Sequence, residues 1–241
     1  IYAGGLGILA GDICKESSDL GLPLVGVGFM YPQGYFHQRI SAEGWQEEIY
    51  RQLDFSETPI TQVPSSRGRR PLAEVKLEDR SIYIGAWQIK VGRVNIYLLD
   101  TDIEENSPQD RKLSARLYIA DRELRIQQEI VLGIGGVRVL RALGVKPAIW
   151  HANEGHAAFM MLERIREEIE KGTSFTKAVQ RVRAATVFTT HTPVPAGHDV
   201  FPSDLVDKYF CNYWGSLGID QGTFLKLGQM DSSGNQGFNM T

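Results

Sequence analysis

Apolar residues follow one another along this chain in several distinct rhythms. Over residues 8–20, Leu9, Ile13, Ser17 and Leu20 recur at helical spacing, and Gly21 and Pro23 close the run as stop signals. Leu22 to Tyr31 is then almost continuously apolar, broken only by Gly26 and Gly28, and reads as a buried strand with both faces covered. Alternation takes over between residues 33 and 99. The sets Val75, Leu77; Ile82, Ile84, Ala86; and Val94, Ile96, Leu98 predict antiparallel excursions that feed one further strand, Val94 to Leu99. The Ser65-Ser-Arg-Gly-Arg-Arg-Pro71 stretch between them reads as a loop.

Past residue 100 helix and strand alternate. Ser107-Pro108 pairs an N-cap with Pro at the first helical position. A long helix is predicted from Asp121 to Leu143, with Ile126, Ile130, Ile134 and Val137 on one face. Gly133, Gly135 and Gly136 sit inside it. Glycine costs about 1 kcal/mol in a helix interior, so this cluster predicts very close packing against another backbone. Strand 148–152, helix 155–170, helix 174–183, strand 185–189 and helix 203–210 complete the series.

This alternation predicts an α/β fold: a Rossmann-like, mostly parallel sheet with helices on both faces and antiparallel excursions. Such sheets bind ligands beyond the carboxyl ends of their strands. That rule selects the loops 100–106, 151–156 and 190–199, and four of the five histidines lie in the last two.

Composition narrows the classes. With 26 basic and 29 acidic side chains among 241 residues, the net charge of −3 offers no basic excess for nucleic acid. No stretch approaches the roughly 20 apolar residues of a membrane span. Cys14 and Cys211 form neither a disulfide framework nor a four-sulfur metal site, which favours a reducing compartment, the cytoplasm. Ile1-Tyr2-Ala3 runs straight into glycines with no initiator Met, and Gly237-Phe-Asn-Met-Thr241 stops without a closing element, so the chain reads as a piece of a longer polypeptide.

Three motifs carry candidate chemistry. Gly4-Gly-Leu-Gly-Ile-Leu-Ala-Gly11 opens a helix, where bare amides make an anion site. Its Gly5-x-Gly7-x-x-Ala10 spacing fits a dinucleotide fingerprint, but the acid required some 20 residues later is missing; a phosphate cradle and a purely structural turn both stay open. His151-Ala-Asn-Glu-Gly-His156 marks a strand-to-helix turn. His151 and His156 are not the i, i+4 pair of a helical metal site, which leaves a sugar or phosphate site, or simple capping by Asn153 or Glu154. Thr189-Thr-His-Thr-Pro-Val-Pro-Ala-Gly-His198 follows another strand, and its prolines hold His191 and nearby carbonyls in place. A rigid carbonyl aimed into a cleft stabilises positive charge developing at a sugar carbon. Arg67, Arg69 and Arg70 read as a solvated loop. Tyr31, Tyr35, Phe36 and Trp45 read as core and hairpin packing, or as a surface that stacks on sugar rings.

Taken in order, these motifs resemble the α-glucan phosphorylases, in particular the compact maltodextrin type of bacteria and archaea. The resemblance runs through Gly4-Gly-Leu-Gly, Gly21-Leu-Pro-Leu-Val-Gly-Val-Gly28, Gln33-Gly-Tyr-Phe-His-Gln38, Gly44-Trp-Gln46, Asp121-Arg-Glu-Leu-Arg125 with Gln128-Glu129, Asn153-Glu-Gly-His156 and Thr190-His-Thr-Pro193. It implies a two-domain glycosyltransferase with residues 1–241 as most of the N-terminal Rossmann-like domain, lacking its first segment. The implied reaction is reversible phosphorolysis of an α-1,4-glucan or maltodextrin by inorganic phosphate, giving α-glucose 1-phosphate with retention. The implied cofactor is pyridoxal phosphate, held on a Schiff-base lysine of a C-terminal domain outside this chain, so the 241 residues alone are expected to be inactive.

Carried over, the resemblance puts Gly4, Gly5 and Leu6 in the glycine loop near the cofactor and substrate phosphates, with the Gly5 backbone nearest the cofactor phosphate. It puts Asn153, Glu154 and His156 in the glucosyl subsite, and the His191 carbonyl against the glucose. Histidine spacing, charge and composition point to no metal, no nucleic acid and no membrane partner, and a homo-oligomer is possible. Two departures stand out. Animal-type members carry Asn-Asp-Thr-His where this chain has Asn153-Glu-Gly-His156, and their gating loop is longer than Tyr118-Ile-Ala-Asp-Arg122. A nucleotide-sugar-dependent glucan synthase of the same architecture, or a non-catalytic glucan-binding module, are the competing readings.

Overall fold

The computed structural model describes residues 4–34, 36–64, 72–116, 121–194, 197–229 and 237–241. The loop expected at 65–71, Tyr35 and residues 118–120 lie outside these. In chain order the elements are α1 (Gly4–Asp19), β1 (Val25–Phe29), β2 (His37–Ile40), β3 (Gln46–Ile49), β4 (Thr61–Gln62), β5 (Ala73–Leu77), β6 (Arg80–Val91) and β7 (Val94–Asp100). They continue with α2 (Arg122–Ile130), a π turn (Val131–Gly135), α3 (Gly136–Ala142), β8 (Trp150–Asn153), α4 (Met160–Glu170), α5 (Phe175–Ala184) and β9 (Thr186–Thr189). The last are β10 (Val200–Pro202), α6 (Ser203–Phe210), α7 (Gln221–Lys226) and β11 (Gly237–Asn239). The chain divides into two compact units, residues 1–72 with 83–119 and residues 73–82 with 120–241.

The first unit is built on a mixed sheet. β1 runs parallel to β7, from Val25 opposite Asn95 to Phe29 opposite Leu99, while β6 pairs antiparallel with β7 and β4 with β6. These are the antiparallel excursions expected from the alternating pattern. Gly92, at φ 58°, takes the left-handed backbone that the tight β6–β7 turn requires. Helix α1 closes one face by setting Cys14 on Val94 and Ile96. The strand expected to be buried on both faces is instead β1 at the sheet edge, with Val25 and Val27 36% and 37% exposed. It has one strand neighbour, and α1 packs over β7, so nothing among the described residues of this unit covers it fully.

Two further expectations change here. Ser107 does cap, receiving the Asp110 amide at 3.2 Å, but what it caps is a single 3₁₀ turn, Asp110–Lys112. The chain then turns inward so that Ser114 can meet Thr101 at 3.0 Å. Trp45 is not core packing: it stands exposed beside the β2–β3 hairpin. Loop 100–106 is held by buried polar contacts at Asp100, Thr101 and Asn106. Asn106 bonds Tyr83 and Thr101 through both ends of its amide, and Asp100 accepts from the Trp87 indole at 2.8 Å.

In the second unit the long helical stretch forms as expected, capped by Asp121, whose carboxylate accepts from the Glu123 and Leu124 amides. The interior glycines coincide with the π turn. A Cβ on Gly133 would lie 2.8 Å from the Met160 nitrogen and 2.9 Å from the Phe159 carbonyl carbon, so the close backbone approach read from the glycines is realised against α4. Phe159, Phe210, Phe224 and Phe238 pack together into an aromatic core. Buried Glu163 ties α3 to α4 by accepting from Arg138 and Arg166. β8 and β9 pair in parallel, with Trp150 opposite Thr186 and Asn153 opposite Thr189. β10 and β11 form an antiparallel pair. Among the described residues no helix is long and apolar enough to cross a membrane.

The packing at the π turn makes a direct prediction. Gly133→Ala forces a methyl into backbone and should destabilise the protein by about 1–3 kcal/mol in urea denaturation. Gly11→Ala, where a Cβ meets nothing within 4 Å in the middle of α1, should be neutral or stabilising by up to about 1 kcal/mol.

Candidate functional site

The second unit brings together the ends of two parallel strands. β8 and β9 stop at Asn153 and Thr189, and the chain leaves both in turns rather than continuing the ladder. The Glu154 amide still donates to the Thr189 carbonyl at 2.8 Å, so the two turns start from one fixed point. Glu154 then adopts φ 63° and ψ 176°, a backbone region nearly reserved for glycine. Holding a glutamate there costs on the order of 1–3 kcal/mol.

The compensation lies in its side chain. The buried Glu154 carboxylate accepts from the His191 amide, from Thr190 Oγ1 at 3.1 Å and from Thr192 Oγ1 at 3.2 Å. Burial alone would raise its pKa, but these three donors hold the carboxyl below its ordinary value. The second turn is therefore fastened to the first at three consecutive residues. Its histidine ring is fixed as well: His191 Nε2 meets Asn153 Oδ1 at 2.9 Å. Between β8 and β9, His151 Nε2 meets Thr189 Oγ1 at 2.7 Å, and in the loop after β9 His198 Nε2 meets the Thr192 carbonyl at 3.1 Å. The His191 carbonyl oxygen accepts no hydrogen bond among the described residues. Gly155 is required by its neighbour, since a Cβ there would lie 2.9 Å from the Met240 carbonyl oxygen.

His156 belongs to a second layer of charge. Its Nδ1 lies 3.1 Å from Asp199 Oδ2, 3.1 Å from Arg125 Nη2 and 3.7 Å from Glu129 Oε1. Arg125 Nη2 in turn meets Asp199 Oδ2 at 2.8 Å, and Arg125 Nε lies 3.4 Å from Glu129 Oε1. Glu129 is 3% exposed, and among the described residues neither of its oxygens makes a hydrogen bond. Burial pushes the Glu129 carboxyl up to about 7. The hydrogen bond to Asp199 and the Glu129 carboxylate beside it raise the His156 imidazole to about 9. Burial would raise Asp199 too, but the His156 hydrogen bond and the Arg125 charge hold it well below the usual carboxylate range. The three donors Glu129, His156 and Asp199 are close enough to surround an ion. The Arg125 guanidinium, however, already supplies the positive charge at that spot.

Of the residues singled out from sequence, Asn153, Glu154, His156 and His191 lie together in this unit. Gly4, Gly5 and Leu6 lie in the first turn of α1 in the other unit, inside the helix rather than in a loop before it, with no acidic side chain in that turn. Loop 100–106 also belongs to the other unit. Cys14 is buried in α1 and Cys211 exposed beyond α6. Sequence reasoning did not single out Arg125, Glu129 or Asp199 as site residues. One signal was available: Arg125 and Glu129 are an i, i+4 pair beside Ile126 and Ile130 on the buried face of α2.

No protein-family model matches the chain. The maltodextrin phosphorylase of Thermococcus litoralis is 49% identical over 241 residues, which is all of this chain and 28% of that protein. The glycogen phosphorylase of Aquifex aeolicus is 44% identical over the same 241 residues, covering 35% of its length. That of Mycobacterium tuberculosis is 49% identical over 215 residues, 86% of this chain and 25% of the relative. The chain thus spans about a quarter to a third of the length of these curated relatives.

The charge layer predicts a pH dependence of stability. The folded-state value of His156 lies above its ordinary 6.5, so the stabilisation from its protonation is complete below that value and fades as pH rises through about 9. Glu129, also raised, acts in the same direction over a lower range. The melting temperature should fall between about pH 7 and 9.5, by the equivalent of about 1–2 kcal/mol after allowing for solvent at the half-exposed ring. His156→Asn should flatten that slope.

Proposed function

We propose, for a chain homologous along its whole length to maltodextrin and glycogen phosphorylases, that the turns after β8 and β9 line the glucosyl subsite of an α-glucan phosphorylase. The reaction is reversible phosphorolysis of an α-1,4-glucan or maltodextrin to α-glucose 1-phosphate, with retention. One observation carries this reading: Glu154 fastens residues 190–192, and among the described residues the His191 carbonyl oxygen accepts no hydrogen bond. A fixed carbonyl dipole stabilises positive charge developing at a glucosyl anomeric carbon, because it need not reorganise as the charge forms. Asn153 and His156 supply side-chain polar atoms to the sugar. Glu154, its carboxylate already occupied, acts through the turn it holds.

Pyridoxal phosphate is the proposed cofactor. When bound, its phosphate group supplies proton transfer through the substrate phosphate. The part of this chain that fits a phosphate is the first turn of α1, where Gly4, Gly5 and Gly7 offer amides without side chains and no acid opposes an anion. Leu6 lies between them. We read residues 1–241 as most of the N-terminal Rossmann-like domain of such an enzyme, acting in the cytoplasm, with the cofactor's lysine elsewhere in the enzyme.

The protein that carries this chain, given maltoheptaose and inorganic phosphate, should release glucose 1-phosphate. The product should disappear when pyridoxal phosphate is stripped and return on reconstitution. Glucan elongation from a nucleotide sugar, without glucose 1-phosphate, would assign the chain to a synthase instead.

A further inference from the structure

The geometry points to Arg125, Glu129 and Asp199 as positioning residues that keep His156 an imidazolium, so that its Nε2–H is a cationic donor to an oxygen of the bound sugar or phosphate. Charge balance comes first. Two carboxylates and one guanidinium converge on the Nδ1 side of the ring. With both carboxylates ionised, as at pH 8, a neutral imidazole leaves this set one net negative charge around a buried glutamate, whereas an imidazolium brings it to zero. An uncompensated charge at a carboxylate 3% exposed is costly, so the set favours holding one proton more than its members would hold separately.

Hydrogen-bond geometry then places that proton. Nδ1 is equally far, 3.1 Å, from the Asp199 carboxylate and the Arg125 guanidinium, and it cannot donate to the first while accepting from the second. Were it to accept from Arg125, its lone pair would face the Asp199 oxygen, with a second carboxylate at 3.7 Å. Donating to Asp199 removes that repulsion and leaves Arg125 bridging Asp199 and Glu129. Among the described residues, the titratable groups facing the ring are thus Arg125 and Glu129 from α2 and Asp199 ahead of β10. The π turn and the chain at Met240 present none, and β8 contributes only His151, whose ring is engaged by Thr189.

With Nδ1 committed, Nε2 is the nitrogen left to act. It has no protein partner among the described residues, and the side chain is 44% exposed. The ring follows directly on Asn153 and Glu154, so its free donor belongs to the same strand-end turn. The ligand half of this inference rests on the glucosyl-subsite reading above; the proton-holding half does not.

The test uses the whole protein that carries this chain, labelled with ¹⁵N-histidine, with His156 assigned from the signal lost in His156→Asn. At pH 8 the ring should show two protonated nitrogens. Glu129→Gln, close to isosteric, should lower the titration midpoint by about 1–3 pH units. Asp199→Asn should do the same, and Asp199→Glu should restore it. In parallel, KM for phosphate and KM for maltoheptaose are measured separately at pH 8. The one that rises severalfold in Glu129→Gln identifies the oxygen that His156 holds. A neutral His156 in the parent at pH 8, a midpoint unmoved by Glu129→Gln, or stoichiometric Zn²⁺ or Mn²⁺ binding that Glu129→Gln abolishes would each overturn the inference. An imidazolium in a protein with no phosphorolysis would overturn the ligand half together with the proposed function, and would support the proton-holding half.

Discussion

The site depends on a backbone conformation that the chain adopts only because a side chain pays for it. Glu154 sits at φ 63° and ψ 176°, where an L-residue is strained, and its buried carboxylate collects the His191 amide and the hydroxyls of Thr190 and Thr192. Strain and clamp are two ends of one residue. The backbone excursion turns the carboxylate into the neighbouring loop, and the three hydrogen bonds offset the excursion. Remove the carboxylate and the turn after β9 loses its attachment to the turn after β8. A positioned carbonyl at His191 has meaning only while that attachment holds.

Around this clamp the packing leaves little freedom. Gly155 follows Glu154 because Met240 occupies the space a Cβ would need, and Gly133 serves the same purpose where the π turn meets the start of α4. The charge layer of Arg125, Glu129 and Asp199 then fixes the ring of His156 at its Nδ1. Close backbone contact and a nearly closed set of charges reach the same end by different means. Each replaces side-chain entropy with a geometry already in place before a ligand arrives.

Much of this was legible in the chain. Helix 203–210 forms at its expected bounds, the 121–143 pattern becomes one helical stretch around a π turn, and Gly133 inside it does mark a close backbone approach. The rule that ligands sit beyond parallel strand ends selected both turns of the second unit, because β8 and β9 are short and parallel and their loops are rich in polar side chains. What stayed hidden depends on distant partners. Glu129 takes on its role only when His156, 27 positions on, and Asp199 fold against it; the His156–Asp199 and Arg125–Asp199 contacts themselves span 43 and 74 residues. Local pattern likewise gave no sign that β1 would be an edge strand, or that Ser107 would cap a single turn. Both outcomes are set by what packs alongside.

The central claim is that Glu154 acts by holding residues 190–192 in place, and Glu154→Gly tests it most directly. Glycine accepts this backbone without strain, so the fold is kept while the carboxylate is lost. In the protein that carries this chain, kcat for maltoheptaose phosphorolysis should fall by about 100-fold, with KM for the glucan within about twofold of the parent. An unchanged kcat would contradict the account, because the turn would then hold its position without the clamp.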